Sequence, residues 1–167
     1  MRHLKCTAVA VLLCCATPVL AADIHMQDVV PYGEATYVAD NIKAECPIGT
    51  QLAIAVGHNA PEHGNRIVFS ATPVAPDAGR VLQLELVEAQ SAGNAFAGHY
   101  KSATARGVLY QDGQKIASVT ARRTSRGGAF AGFKGSCSVL ERTVNAMGED
   151  LAQWLANPVD GARLGDL

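Results

Sequence analysis

Asp112 and Gly113 stand between two stretches of alternating apolar and polar residues, 103–110 and 115–123. An Asp-Gly pair tolerates the left-handed backbone of a tight two-residue turn, so the flanking patterns read as a hairpin. A link this short permits only antiparallel pairing. Whatever else the chain builds, it must contain an antiparallel sheet. Upstream, residues 81–88 alternate cleanly: Leu82, Leu84 and Leu86 face one way, Gln83 and Glu85 the other. That is the pattern of a half-buried strand. Residues 67–69 and 35–39 are shorter strand candidates, the latter at an edge, with residues 22–45 otherwise a polar, weakly patterned arm. Pro73 and the 76–79 run Pro-Asp-Ala-Gly mark a loop, and residues 91–98 read as another.

Two helices frame these strands. Leu140, Val144, Met147, Leu151, Trp154 and Leu155 fall on one helical stripe. Ser138 precedes Glu141 at capping-box spacing, and Asn157-Pro158 stops the helix. Pro47 suits the first turn of an earlier helix, in which Ile48, Leu52, Ala55 and Val56 recur at helical spacing. Gly49 and Gly57 weaken that helix, and residues 58–61 end it. The order predicts an α+β domain: an antiparallel β-sheet of three to five strands with two helices packed on one face. The terminal helix argues against an all-β barrel.

The amino terminus has a different purpose. Arg2 and Lys5 precede an uncharged apolar run over 6–20, followed by Ala21 and then Asp23. This is the order of a secretory signal, with cleavage expected near Ala21. The run is shorter than the ~20 residues that cross a bilayer, so no transmembrane segment is expected once the signal is gone. Leu13 before Cys14 does not suit a lipid-acceptor site. The organisation expected is a signal over 1–21, one domain over 22–157 and a flexible tail over 158–167. Removal of the signal leaves Cys46 and Cys137, 91 positions apart. Two cysteines in an exported chain argue for a disulfide. On the chain-entropy model such a bridge contributes roughly 4 to 5 kcal/mol, less any strain. It would join the starts of the two helices.

Composition narrows function mainly by exclusion. With 14 Lys and Arg against 15 Asp and Glu, no global field recruits nucleic acid, and 5% aromatic content gives few stacking platforms. An apolar content of 49% with 17% charged excludes a mainly disordered chain. The segment 122–136 carries Arg122, Arg123, Arg126 and Lys134 among glycines, just before a helix start. Such a place can hold an anion or a partner surface. It is not a phosphate loop: Gly127 and Gly132 have the spacing, but Phe133 occupies the lysine's position.

His25, or the pair His58 and His63, offers a metal-binding alternative. Cleavage after Ala22 would place His25 third from a free amine, an arrangement that can chelate Cu(II) or Ni(II). No nucleophile elbow is present, so a hydrolase would need dispersed residues, and nothing in the sequence requires catalysis or a cofactor. The pairs Glu149–Asp150 and Glu34/Asp40 read as solvated carboxylates.

Several motifs carry a resemblance. They are Gly107-Val108-Leu109-Tyr110, the 120–125 run Thr-Ala-Arg-Arg-Thr-Ser, Gly127-Gly128-Ala129-Phe130, the 132–140 run Gly-Phe-Lys-Gly-Ser-Cys-Ser-Val-Leu, and the 148–155 run Gly-Glu-Asp-Leu-Ala-Gln-Trp-Leu. Together with Glu45-Cys46 they resemble a group of small exported proteobacterial proteins of unknown function. More distantly, the strand–strand–glycine loop–helix layout is similar to the YajG-like envelope lipoproteins. The resemblance spans about residues 40–157 and implies a bacterial envelope origin and an α+β fold. It brings no catalytic residues. The expectation is a non-enzymatic, periplasmic or secreted domain whose partner is an envelope protein or small ligand, met through the 122–134 segment and its neighbouring strand edge.

Overall fold

The computed structural model describes residues 21–94, 98–126 and 136–167, without the side chains of 91–94, 98–99, 126 and 136. Residues 1–20 of the predicted signal, Lys134 and the side chain of Arg126 therefore lie outside the described residues. In chain order the elements are β1 (Ala22–Gln27), β2 (Tyr32–Val38), α1 (Asp40–Glu45), α2 (Ile48–Asn59), a 3₁₀ turn (Ala60–His63), β3 (Asn65–Ser70), β4 (Arg80–Asn94), β5 (Gly98–Gln111), β6 (Gln114–Arg126), α3 (Ser136–Ala156) and β7 (Ala162–Gly165). They form an α+β fold with one seven-stranded sheet in the order β3-β1-β4-β5-β6-β7, and β2 also pairs with β4.

The expected hairpin is β5–β6. Asp112 and Gly113 both take positive φ, 50° and 85°, as a type I′ turn requires. The sheet is not the purely antiparallel one of three to five strands that the sequence predicts. The pairs β1–β3, β1–β4, β2–β4 and β6–β7 are parallel; β4–β5 and β5–β6 are antiparallel. Two segments read as unstructured supply the extra strands. In β1, Ile24 and Met26 are buried and alternate with Asp23, His25 and Gln27, so the polar arm is an internal strand. In the tail, β7 lies beside β6, and Asp166 donates its N–H to the Arg122 carbonyl at 2.8 Å. The Thr124 N–H returns a bond to the Asp166 carboxylate at 2.7 Å, and Trp154 Nε1 donates to the Val159 carbonyl at 3.1 Å. These bonds hold residues that composition alone marks as loose.

The core lies between the sheet and the two long helices. Leu82, Leu84 and Leu86 of β4 meet Leu52 and Val56 of α2 and Leu140, Val144, Met147 and Leu151 of α3. Each such side chain contributes about 1.5–3 kcal/mol by leaving water. Ser138 sits inside α3, which is already helical at Ser136, so Ser138 and Glu141 do not mark the helix boundary as their spacing predicts. Gly49 serves an approach rather than weakening α2: a Cβ there would strike the Val30 carbonyl. Cys46 and Cys137 are joined, with their Cα atoms 5.1 Å apart, next to the start of α2 and in the first turn of α3.

Candidate ligand-binding groove

The alternation of β4 leaves Gln83 and Glu85 on the face away from the helices, and an interruption in the sheet sits beside them. β1 pairs with β4 only at His25↔Val81; β2 takes up the same edge at Tyr32↔Leu86. From Leu82 to Glu85, β4 has ladder partners on β5 alone. A strand with one neighbour directs the N–H and C=O of every second residue to its other side. The result is a split closed at both ends. It opens into a cavity of about 440 Å³ that takes lining from both faces of the sheet, including Met26, Val30, Pro31, Pro73, Val74, Leu84 and Val108. That volume is within the usual range for small-ligand clefts.

Both walls are fixed by hydrogen bonds, most of them between backbone groups. On the β1–β2 side, the Asp28 N–H donates to the Ser70 carbonyl at 3.0 Å, Val30 to Gly49 at 3.3 Å, and Leu86 to Pro31 at 2.8 Å. On the other side, Gln83 Nε2 donates to the Val74 carbonyl at 3.0 Å. The N–H groups of Asp112 and Gly113 donate to Gly79 at 2.8 Å and Pro76 at 2.9 Å. The hairpin turn thus buttresses the 71–79 loop. Walls held by the protein's own hydrogen bonds lower the ordering cost of binding.

Its two charges are Glu85 and Arg106, directly opposite one another on β4 and β5. Unlike charges at such positions ordinarily pair. Here they form no ion pair: Glu85 leans over Gly33 of β2, its Oε2 2.6 Å from where a Cβ of residue 33 would stand. Among the described lining residues there is one carboxylate and one guanidinium, with no hydroxyl, thiol or imidazole. Such a set can hold a donor and an acceptor; it does not supply the paired carboxylates or activated nucleophile that hydrolysis uses. A second hollow of about 520 Å³, beside Tyr37, Ile42 and Gln90, has no charged residue in its described lining.

The residues nominated from sequence are dispersed. Arg122 and Arg123 are consecutive in a strand and so project to opposite faces. Arg123 turns to α3, where its Nε donates to Asp150 at 2.6 Å, with Asp166 3.9 Å away. Those carboxylates, led by the Asp150 hydrogen bond, raise the Arg123 pKa further. Arg122 lies 3.6 Å from Glu88, which also accepts from Thr104 Oγ1 at 2.9 Å and Ser102 Oγ at 3.2 Å. Both arginines are engaged with carboxylates, and the structure does not bring them together as one anion site. Asp150, read as solvated, is half of that clamp.

His25 lies within β1, paired with both Val68 and Val81, while the Ala22 N–H is donated to Gly64 at 3.2 Å. An amino-terminal chelate needs these residues wrapped around an ion, and an extended internal strand opposes that. His58 is exposed at the end of α2 and His63 closes the 3₁₀ turn; among the described residues no three metal-ligating side chains gather. The groove itself escapes sequence reading, because Glu85 and Arg106 look like ordinary outward positions of two strands. The signal available was a charge midway along each of two strands that pair, Glu85 on β4 and Arg106 on β5.

No family model matches the chain, and no curated protein matches it. Solved structures do. Protein XCC0632 from Xanthomonas campestris, of family model DUF330, has a TM-score of 0.59 at 12% identity, over 89% of this chain and 91% of its own. Hypothetical protein CT253 from Chlamydia trachomatis has a TM-score of 0.50 at 14% identity, over 80% and 97%. Lipoprotein GNA1162 from Neisseria meningitidis has 0.47 at 15%, over 78% and 98%. At these identities the likeness is one of architecture. The chain shares the fold of the Xanthomonas and Chlamydia proteins.

Proposed function

We propose that this chain is an exported protein of the bacterial envelope, periplasmic or secreted, that acts by binding a small ligand in the split beside β4. The observation that carries the reading is the groove itself. Its walls are pinned, its size suits a small molecule, and its two opposite charges are not spent on each other. Export is supported by the charged-then-apolar amino terminus and by a disulfide, a bond of oxidising compartments. The resemblance to small exported proteobacterial proteins points to the same compartment. No described helix is long and apolar enough to cross a membrane.

The test of binding uses isotope-labelled mature protein and the small-molecule fraction of an envelope extract. Shifts are expected at the amides of Gln83, Leu84, Glu85 and Val108, and Val108→Trp, which fills the cavity, should abolish them. Shifts that avoid these residues, or none at all, would refute the reading. Intact mass from the native type of host should show a start at Ala22 and no alkylation before reduction. Retention of residues 1–21 would remove the compartment from the proposal.

A further inference from the structure

The geometry points to a short zwitterion with an apolar side chain, of amino-acid or dipeptide size, as the occupant of the groove; this rests on the groove being a binding site. Three independent features converge on that chemistry. First, Glu85 and Arg106 present an acceptor and a donor of opposite charge, and neither forms an ion pair with another described residue. Cross-strand positions lie about 4.5–5.5 Å apart at Cβ. Glu85 is drawn towards Gly33, so the carboxylate and the guanidinium stand apart as two separate partners, one for an ammonium and one for a carboxylate. Charge-assisted hydrogen bonds of this kind are about twice as strong as neutral ones.

Second, on the Leu82–Glu85 edge the N–H and C=O of Leu84 point to the open side with no strand opposite them. An amide-bearing ligand can complete the ladder there, as in strand addition. The split spans four residues, roughly 13 Å at strand rise, and is closed by His25↔Val81 and Tyr32↔Leu86. A long peptide would have to bend out at both ends; a short one with free termini would not. Third, Met26, Val30, Pro31, Pro73 and Val74 form an apolar wall that favours an aliphatic side chain over a polar one.

Titration of the labelled protein with leucine, leucyl-leucine, N-acetyl-leucyl-leucine and leucyl-leucine amide, followed by amide shifts, tests this directly. At least one of the two free zwitterions should bind saturably at the groove, and which one binds tighter sets the length. Either cap should weaken binding by about tenfold or more. Arg106→Gln should erase the penalty for amidation and Glu85→Gln the penalty for acetylation, with the remaining spectrum unchanged. Equal binding of capped and free forms would overturn the inference, because the charges would not be read. No binding of any of the four, while the envelope fraction still shifts the groove, would overturn it and leave the groove standing as a site. Silence from both would remove the site as well. The caps act on the ligand, so the test holds even if a variant misfolds.

Discussion

On one side of β4 the chain runs β4, β5 and β6 as consecutive antiparallel neighbours, paired from Arg80↔Gln111 to Asn94↔Gly98 and from Tyr100↔Arg126 to Gln111↔Gln114 with one register shift in each ladder, at Leu86/Glu88 and at Leu109/Tyr110. On the other side, β1 and β2 share one edge of β4 and pair with it in parallel, and the chain comes back to pair β3 with β1 only after passing through α1 and α2. The first side closes short loops before it gains contacts. The second depends on long crossovers, and the loss of chain entropy grows with each. Local pairing leaves little freedom for gaps. The crossover side has one, between His25 and Tyr32, and the candidate site lies in it. The regular half acts as a scaffold and the irregular half supplies the opening.

That contrast can be broken first at Gly148. It sits on α3 where a Cβ would press into the Ala55 Cβ of α2, so Gly148→Leu should force the helices apart. Overpacking of this size should cost about 3 kcal/mol in urea unfolding. Hydrogen exchange should accelerate more in β1 and β3, on the crossover side, than in β5 and β6. Equal acceleration everywhere would mean the two sides share one stability. Reduction of Cys46–Cys137 comes next. It should cost about 2–4 kcal/mol, read as a lower unfolding midpoint, again with earlier loss on the α2 side.

Arg123→Ala probes the regular half. It removes the clamp on Asp150 and Asp166 and should lower stability by about 1–2 kcal/mol, after allowance for its partial exposure. The loosening should be confined to β7 and the end of β6. The smallest effect belongs to Asp23, whose exposed carboxylate receives Arg66 Nε at 2.7 Å. That hydrogen bond holds the Asp23 pKa below its ordinary value. A depressed folded pKa means the stabilisation is complete above the unfolded pKa and is lost as pH falls through the folded one. Asp23→Asn should therefore lower stability slightly near neutrality, leave it unchanged well below about pH 4, and so flatten the pH dependence between the two.

What could be read from the sequence follows the same division. The hairpin and α3 were legible because their signals are local: a turn pair of defined backbone, and a stripe whose members Leu140, Val144, Met147, Leu151 and Leu155 are all buried. The alternation of β1 was present in Asp23-Ile24-His25-Met26-Gln27, but its partner begins at Asn65, and no short-range pattern announces that pairing. β7 is four residues long, too short to show a period, and is held largely by bonds from Arg122 and Thr124. Strand alternation separates Arg122 from Arg123, and each meets a carboxylate distant in sequence, a pairing that no local pattern announces. The groove was invisible for a further reason. It is a gap between strands, and a gap has no residues of its own.

The bond between Cys46 and Cys137 has a topological consequence. It closes a covalent ring that contains α2, β3, β4, β5 and β6 and excludes β1, β2 and β7. One backbone cut at any point inside that ring, the groove's 71–79 wall included, yields two segments that still travel as a single molecule. Such a nick adds one water to the intact mass and releases no fragment until a reductant is supplied. In an oxidising compartment rich in proteases, the loop beside the site can thus be severed without the two sides of the groove parting.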